Sequence, residues 1–333
     1  MHNAVLITTL IVIFTLIFDF INGFHDTATA VATTITTKAL NPRRAIILCA
    51  IFNFIGAFTG TAVAKTVGSD IVTGLPQWVI LCVLISAIIW NLFTWYFGIP
   101  SSSSHALIGA LVGGGIAYFS SFGSINWQNL LRSVVLWLFL SPVIGLAVGY
   151  ILMTILNFIL KPFKISVVNR IFLRLQVLAG AFMSLNHGGN DAQKSMGIIT
   201  MALISGGFIS STSAFHVPLW VIASCALAMA LGTSLGGKKI IKTMGSGVTK
   251  LTPVSGFASQ LGAASVILTA SLFHAPVSTT HIATTTIMGV GSSKSVKSVK
   301  WGVAKSILWA WVLTIPITAI ISAILIYIVK LFI

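Results

Sequence analysis

Pro100-Ser101-Ser102-Ser103-Ser104-His105 returns 176 positions later as Pro276-Val277-Ser278-Thr279-Thr280-His281, and Gly113 and Gly115 return as Gly289 and Gly291 at the same offset. A second pair keeps the same order: Asn22-Gly23-Phe24-His25-Asp26-Thr27 and His187-Gly188-Gly189-Asn190-Asp191-Ala192, with their aspartates 165 positions apart. Each member of this pair ends a hydrophobic run with a glycine-containing stretch and an Asp, and is read as a helix break. Chance likeness between apolar helices would explain one such pair, but hardly two in one order. The chain therefore divides near residue 165 into two related halves, residues 1–164 and 165–333, the second with 11 more residues between its signatures.

Composition says what surrounds these motifs. Of 333 residues, 56% are hydrophobic and 7% charged, with 19 Lys and Arg against four acids, all Asp. A soluble domain carries about a quarter of its residues as charges, so no soluble domain is expected. A membrane span needs about 20 mostly apolar residues. That measure picks out segments near 4–22, 44–65, 76–97, 105–119, 130–160, 171–186, 215–236, 253–273, 276–291 and 301–329, with weaker ones at 26–37 and 191–205. The expected fold is an all-α integral membrane protein of 10–12 transmembrane segments. The first run, Ala4 to Ile21, lacks the basic start and small-residue cleavage site of a signal peptide and reads as a span. Cys49, Cys82 and Cys225 all sit in apolar runs without a CxxC pair, which argues against disulfides and a zinc site.

The formal charge of +15 would suggest a nucleic-acid partner in a soluble protein. Here the basic residues cluster between apolar stretches, so they report topology instead. Lys38, Arg43 and Arg44 follow the first signature, whereas the matching stretch Gly206 to Ala214 is uncharged. Conversely, the stretch from Lys65 to Pro76 has one Lys and one Asp, while its counterpart carries Lys238, Lys239, Lys242 and Lys250. The switch recurs between Ser120 to Leu131, with no basic residue, and Lys294, Lys297, Lys300 and Lys305. With basic loops cytoplasmic, each half crosses an odd number of times and the halves are inserted upside down to each other. Both chain ends then lie outside, and the loop with Lys161, Lys164, Arg170 and Arg174 lies inside. Inverted repeats with broken or re-entrant polar segments at matching positions point to a secondary transporter working by alternating access.

Ionisable residues inside spans are costly and mark function by default. Asp26 and Asp191 occupy matching positions and are read as cation- or proton-binding groups, with helix capping as the plainer alternative. Asn22, Asn190 and Thr27 flank them and join the expected cation site. Asp19 lies deeper in the first span opposite Ser184 in the second half, and its role stays open; Asp70 reads as a solvated loop residue. Ser102, Ser103 and Ser104, and Ser278, Thr279 and Thr280, each follow a proline region and precede an apolar run, where a helix would start. Hydroxyls and free N–H groups at a helix N-terminus can hold an oxyanion such as phosphate or sulfate. His105 and His281 close these clusters and either donate to the anion or pack. His25 and His187 adjoin the aspartates as candidate proton relays. Lys194 can pair with Asp191 three residues before it, or face the anion together with Gln193.

Electrostatics links the two kinds of site. Importing a dianion against about 100 mV costs about 4.6 kcal/mol, which two co-transported cations cancel and a third reverses. An anion channel needs no paired carboxylates, and adjacent Ser104 and His105 do not make a nucleophile-base pair, so an enzyme is not expected.

At these residues the sequence resembles the inorganic phosphate transporter (PiT) family along nearly its whole length. Phe18 to Ala28 is similar to the first family signature, Asn186 to Lys194 to the second, and the two Pro-to-His stretches to its repeated polar motifs. Thr29 stands where the family signature commonly has Asn, and the long hydrophilic central loop of larger relatives is absent. The resemblance implies a symporter that imports inorganic phosphate across the cell membrane with H+ or Na+ as coupling ion, with Asp26 and Asp191 as Na+ ligands if sodium is used. A sulfate permease of the same fold is the alternative. No further cofactor is expected. The expected partners are phosphate, free or as a metal–phosphate complex, the lipid bilayer and a second copy of the chain as a homodimer.

Overall fold

In a bilayer, backbone groups have no water to bond and must be satisfied within their own segment, so the long apolar runs become helices. The computed structural model describes residues 2–210 and 215–332, and every regular element among them is helical. The first half contains α1 (His2–Thr36), α2 (Pro42–Gly56), α3 (Ala62–Lys65) running into a π-helical turn, α4 (Gln77–Phe97) and α5 (Ser103–Phe119). It closes with α6 (Trp127–Asn129), which a π-helical stretch joins to α7 (Leu136–Leu160). The second half contains α8 (Ile165–Ser205), α9 (Leu219–Leu235), α10 (Lys238–Lys242) with its own π-helical turn, α11 (Pro253–Leu272), α12 (Thr279–Lys294) and α13 (Trp301–Lys330). The uncharged stretch after α8 runs partly outside the described residues.

Six helices among the described residues are long and apolar enough to cross a membrane: Ala4–Thr36, Gln77–Phe97, Trp127–Leu160, Ile165–Ser205, Pro253–Leu272 and Trp301–Lys330. The chain is a multi-pass membrane protein. Six is fewer than the 10–12 read from hydropathy, for two reasons. The weak segments 26–37 and 191–205 are not separate spans, because they continue α1 and α8, of 35 and 41 residues. At 1.5 Å per residue these helices reach about 50 and about 60 Å, well beyond a hydrocarbon core of about 30 Å. Conversely α2, α5 and α12, with 15, 17 and 16 residues, are too short to cross alone.

The expected helix breaks at Gly23 and at Gly188-Gly189 are also absent, since α1 and α8 run straight through both signatures. The glycines serve close approach instead. A Cβ on Gly23 would stand 2.3 Å from the Met229 carbonyl oxygen of α9, and one on Gly188 the same 2.3 Å from the Asn53 carbonyl oxygen of α2. So α1 packs on α9, and α8 packs on α2. In the same crossed manner α5 packs on α13 and α12 on α7. The α7 face toward α12 is a stripe of small residues four apart, Ser141, Gly145 and Gly149, the packing device of membrane helices. A second face packs on α11 through Val148 and Leu152, and Phe139, Val143 and Phe158 are among the large apolar side chains left exposed.

Candidate functional site

The two Ser/Thr clusters sit at helix starts, as their sequence predicts. Ser102 and Ser278 are the N-caps of α5 and α12; their backbones are extended and their side chains accept from the N–H groups of His105 and His281, each at 3.2 Å. The caps place residues 103, 104, 279 and 280 in the first turns, where the leading N–H groups have no acceptor within their own helix. These two N-termini meet the middles of α1 and α8.

Around Asp26 the Ser103 hydroxyl stands 2.7 Å from Oδ2 and 2.9 Å from the side-chain oxygen of Asn22, one helical turn before Asp26. Thr280, from the other half, donates to Asp26 Oδ1 at 3.1 Å, and His25 Nδ1 lies 2.6 Å from the same oxygen. His25 Nε2 is held 3.2 Å from the Thr94 hydroxyl of α4. Around Asp191 the Lys194 ammonium donates to Oδ1, Thr279 donates to Oδ2 at 3.1 Å, and His187 Nε2 lies 3.3 Å from Oδ2. Lys194 also donates to the Ser104 hydroxyl and, at 3.0 Å, to the Val277 carbonyl, which Ser104 itself bonds at 2.9 Å. Lys194 therefore pairs with Asp191 and at the same time reaches the first turn of α5.

Asp26, His187 and Asp191 each offer an atom within 4.8 Å of the others. The aspartates, 165 positions apart, thus share one centre, in which Asp26 is 2% and Asp191 0% exposed. Carboxylate, hydroxyl and amide oxygens are the hard donors that suit a small hard cation. Both carboxylates are buried away from solvent.

The structure also separates residues that the sequence grouped. Thr27 turns away to the Thr233 hydroxyl of α9 at 2.8 Å. Asn190 bonds Ser271 at 2.8 Å and the Ala275 carbonyl at 3.1 Å. Gln193 accepts from the Val63 N–H at 2.8 Å and donates to the Gly189 carbonyl, so it holds the start of α3 rather than facing the centre. Thr29 bonds the Asp26 carbonyl of its own helix at 2.6 Å. His105 and His281 pack edge to face with ring centres 4.3 Å apart, and His281 stacks on Trp311 at 3.7 Å. Asp26 and Asp191 sit inside continuous helices and cap nothing.

A family model describing the phosphate transporter family matches residues 22–322. The chain belongs to the phosphate transporter family. Its similar curated relatives carry the name "probable low-affinity inorganic phosphate transporter". One from Bacillus subtilis strain 168 is 50% identical, with 99% of each chain covered, and one from Rhizobium meliloti strain 1021 is 46% identical, with 92% of each covered. A solved structure named "The sodium-dependent phosphate transporter" superposes with a TM-score of 0.87 at 23% identity, covering 98% of this chain and 100% of the other. This family of transporters agrees with the reading that the chain is no enzyme.

Two positions in this phosphate transporter family member were not foreseen. Asn53 on α2 lies 3.1 Å from His187 Nδ1 through its oxygen and donates to Thr233 at 3.0 Å. Thr94 orients His25 and accepts from Ser101 at 2.8 Å. Asn53 is a single polar residue in an apolar run, and only that isolation could have marked it; Thr94 follows Asn91 by three positions, without a signal of its own.

Proposed function

We propose that the protein imports inorganic phosphate across the cytoplasmic membrane by alternating access, coupled to H+ or Na+. The observation that carries this reading is one of hydrogen bonding: the hydroxyls expected to hold the anion are spent on the carboxylates expected to hold the cation. Ser103 and Thr280 bond Asp26, and Thr279 bonds Asp191. A cation or proton at Asp26 satisfies the carboxylate and releases these O–H groups toward a phosphate oxygen. Phosphate that takes those hydroxyls in turn leaves the carboxylate in need of a cation. Each substrate frees the ligands of the other, which is thermodynamic coupling in a shared site.

In this reading Ser103, Ser104, Thr279, Thr280 and Lys194, with the first-turn N–H groups of α5 and α12, receive phosphate. Asp26 and Asn22 receive the cation, beside an Asp191 already paired with Lys194. The relatives' names support phosphate as cargo, and the name of the solved structural neighbour supports Na+ as the coupling ion. The two halves act as inverted repeats, 1–164 and 165–333. The identical order of elements and the crossed packing of α1 on α9 and α8 on α2 support this, as does the charge switch between matching loops. That charge pattern supports an orientation with both chain ends outside.

The test is uptake of labelled phosphate into proteoliposomes under imposed Na+ or H+ gradients, with excess sulfate as competitor. Gradient-driven uptake that ignores sulfate is expected. Uptake of sulfate in place of phosphate would overturn the cargo, and uptake driven by neither gradient would overturn the coupling.

A further inference from the structure

Asp19 takes no part in the centre described above, yet it is 0% exposed and neither of its carboxylate oxygens makes a hydrogen bond. It lies on α1 seven residues before Asp26, two helical turns or about 10 Å along the axis. The polar side chains that reach it are Ser195 of α8 and Cys225 of α9, and the charged groups facing it are Asp191 and Lys194 of α8. The Ser195 hydroxyl is itself buried and also without a hydrogen-bond partner.

Among the described residues, every other buried charge is matched. Asp26 has His25, Ser103 and Thr280, and Asp191 has Lys194, His187 and Thr279. Lys194 has nothing left for Asp19, because an ammonium has three donors and these go to Asp191, Ser104 and the Val277 carbonyl. A buried carboxylate without a cation is costly, so the charge that Asp19 needs comes from outside the protein. The arrangement exists in one half only: the counterpart of Asp19 is Ser184, whose hydroxyl is satisfied by the Gly180 carbonyl of its own helix at 2.8 Å.

We infer that Asp19, with the Ser195 hydroxyl as second ligand, is an additional site for one monovalent cation, H+ or Na+, separate from the Asp26–Asp191 centre. The inference rests on the proposed cation coupling. Since Lys194 already neutralises Asp191, the centre leaves one carboxylate for a coupling cation, and Asp19 supplies the seat for another.

The test compares wild type with Asp19→Asn and Ser195→Ala in proteoliposomes, reading cations moved per phosphate and, separately, phosphate counterflow without a gradient. Asp19→Asn is expected to keep counterflow and move one cation fewer per phosphate. Ser195→Ala is expected to keep the stoichiometry and raise the half-saturating cation concentration several-fold. Varying pH at fixed Na+, and Na+ at fixed pH, tells which ion fills the seat. Normal counterflow with unchanged stoichiometry in Asp19→Asn overturns the inference. Infrared spectroscopy of the lipid-embedded protein keeps it testable where transport is lost. A carboxylic-acid band that responds to pH or Na+ and is missing in Asp19→Asn supports the seat, and its absence from the wild type under all conditions overturns it. A wild type whose uptake ignores both gradients would overturn the coupling reading, while the infrared band still decides whether Asp19 takes a cation.

Discussion

Asp26 and Asp191 hold matching places in the two halves, and the protein surrounds them differently. Asp191 is paired with a full positive charge from Lys194, three residues along its own helix. Asp26 has a histidine and two hydroxyls, and both hydroxyls come from the short helices α5 and α12. One carboxylate is neutralised from within its helix, while the other depends on groups that can leave. On the function proposed above, this divides the labour: Asp191 anchors the ammonium beside Ser104, and Asp26 is the carboxylate that exchanges hydroxyls for a cation.

The largest effect expected from that contrast is on stability. Lys194→Met strands Asp191 in the membrane interior, and breaking a buried ion pair from one side costs about 3–5 kcal/mol. Thermal unfolding in detergent should show a strongly lowered midpoint, and adding Asp191→Asn to the same chain should recover most of it. If Lys194→Met melts like the wild type, the pair is not what neutralises Asp191 and the contrast fails.

Asp26→Asn comes next and should act on function instead. The amide keeps the size of the carboxylate; its one oxygen accepts from one of the Ser103 and Thr280 hydroxyls and its NH2 group donates to the other, so insertion and folding are preserved. Gradient-driven phosphate uptake should fall to the level of empty liposomes, because the group that trades hydroxyls for a cation is gone. Uptake that retains its ion dependence in this variant would move the coupling site elsewhere.

How far the sequence leads is set by geometry. The matched offsets exposed the two aspartates and the two polar helix starts, because an Asp in an apolar run and a Ser/Thr cluster after Pro each have a cost that only a role explains. Direction around a helix was not legible in the same way. Thr27 and Asn190 are next to the aspartates in sequence, but successive helical positions differ by about 100°, so they face α9 and the end of α11 with the loop after it. Asn22 and Lys194, spaced four and three from the aspartates, share their face. The glycines misled for a related reason. Glycine permits both a break and a close approach, and only the positions of α2 and α9 show which one operates.

Ser103→Ala sharpens the contrast at the anion side. It removes a hydrogen bond of 2.7 Å to Asp26 and a donor to phosphate. Hydrogen bonds to charged groups are worth about 1.5–3 kcal/mol, so the half-saturating phosphate concentration should rise roughly tenfold or more. The coupling stoichiometry should stay as in the wild type. A change in ion dependence without a change in phosphate affinity would reverse the roles given to hydroxyl and carboxylate.

The smallest effect is expected at Thr27, and it separates adjacency from participation. Its hydroxyl is buried beside Asp26 in sequence, yet its contact is the Thr233 hydroxyl, a neutral pair between α1 and α9. Thr27→Val keeps the shape and removes that bond, leaving Thr233 its second contact with Asn53 at 3.0 Å. The loss should be about 1 kcal/mol of stability, read as a slightly lower unfolding midpoint, with phosphate affinity and ion dependence unchanged. A shift in Na+ or H+ dependence in this variant would show that the cation's shell extends round the helix to the α9 side. The centre would then draw on the α1–α9 contact as well as on the two helix N-termini, and the division between Asp26 and Asp191 would have to be redrawn to include it.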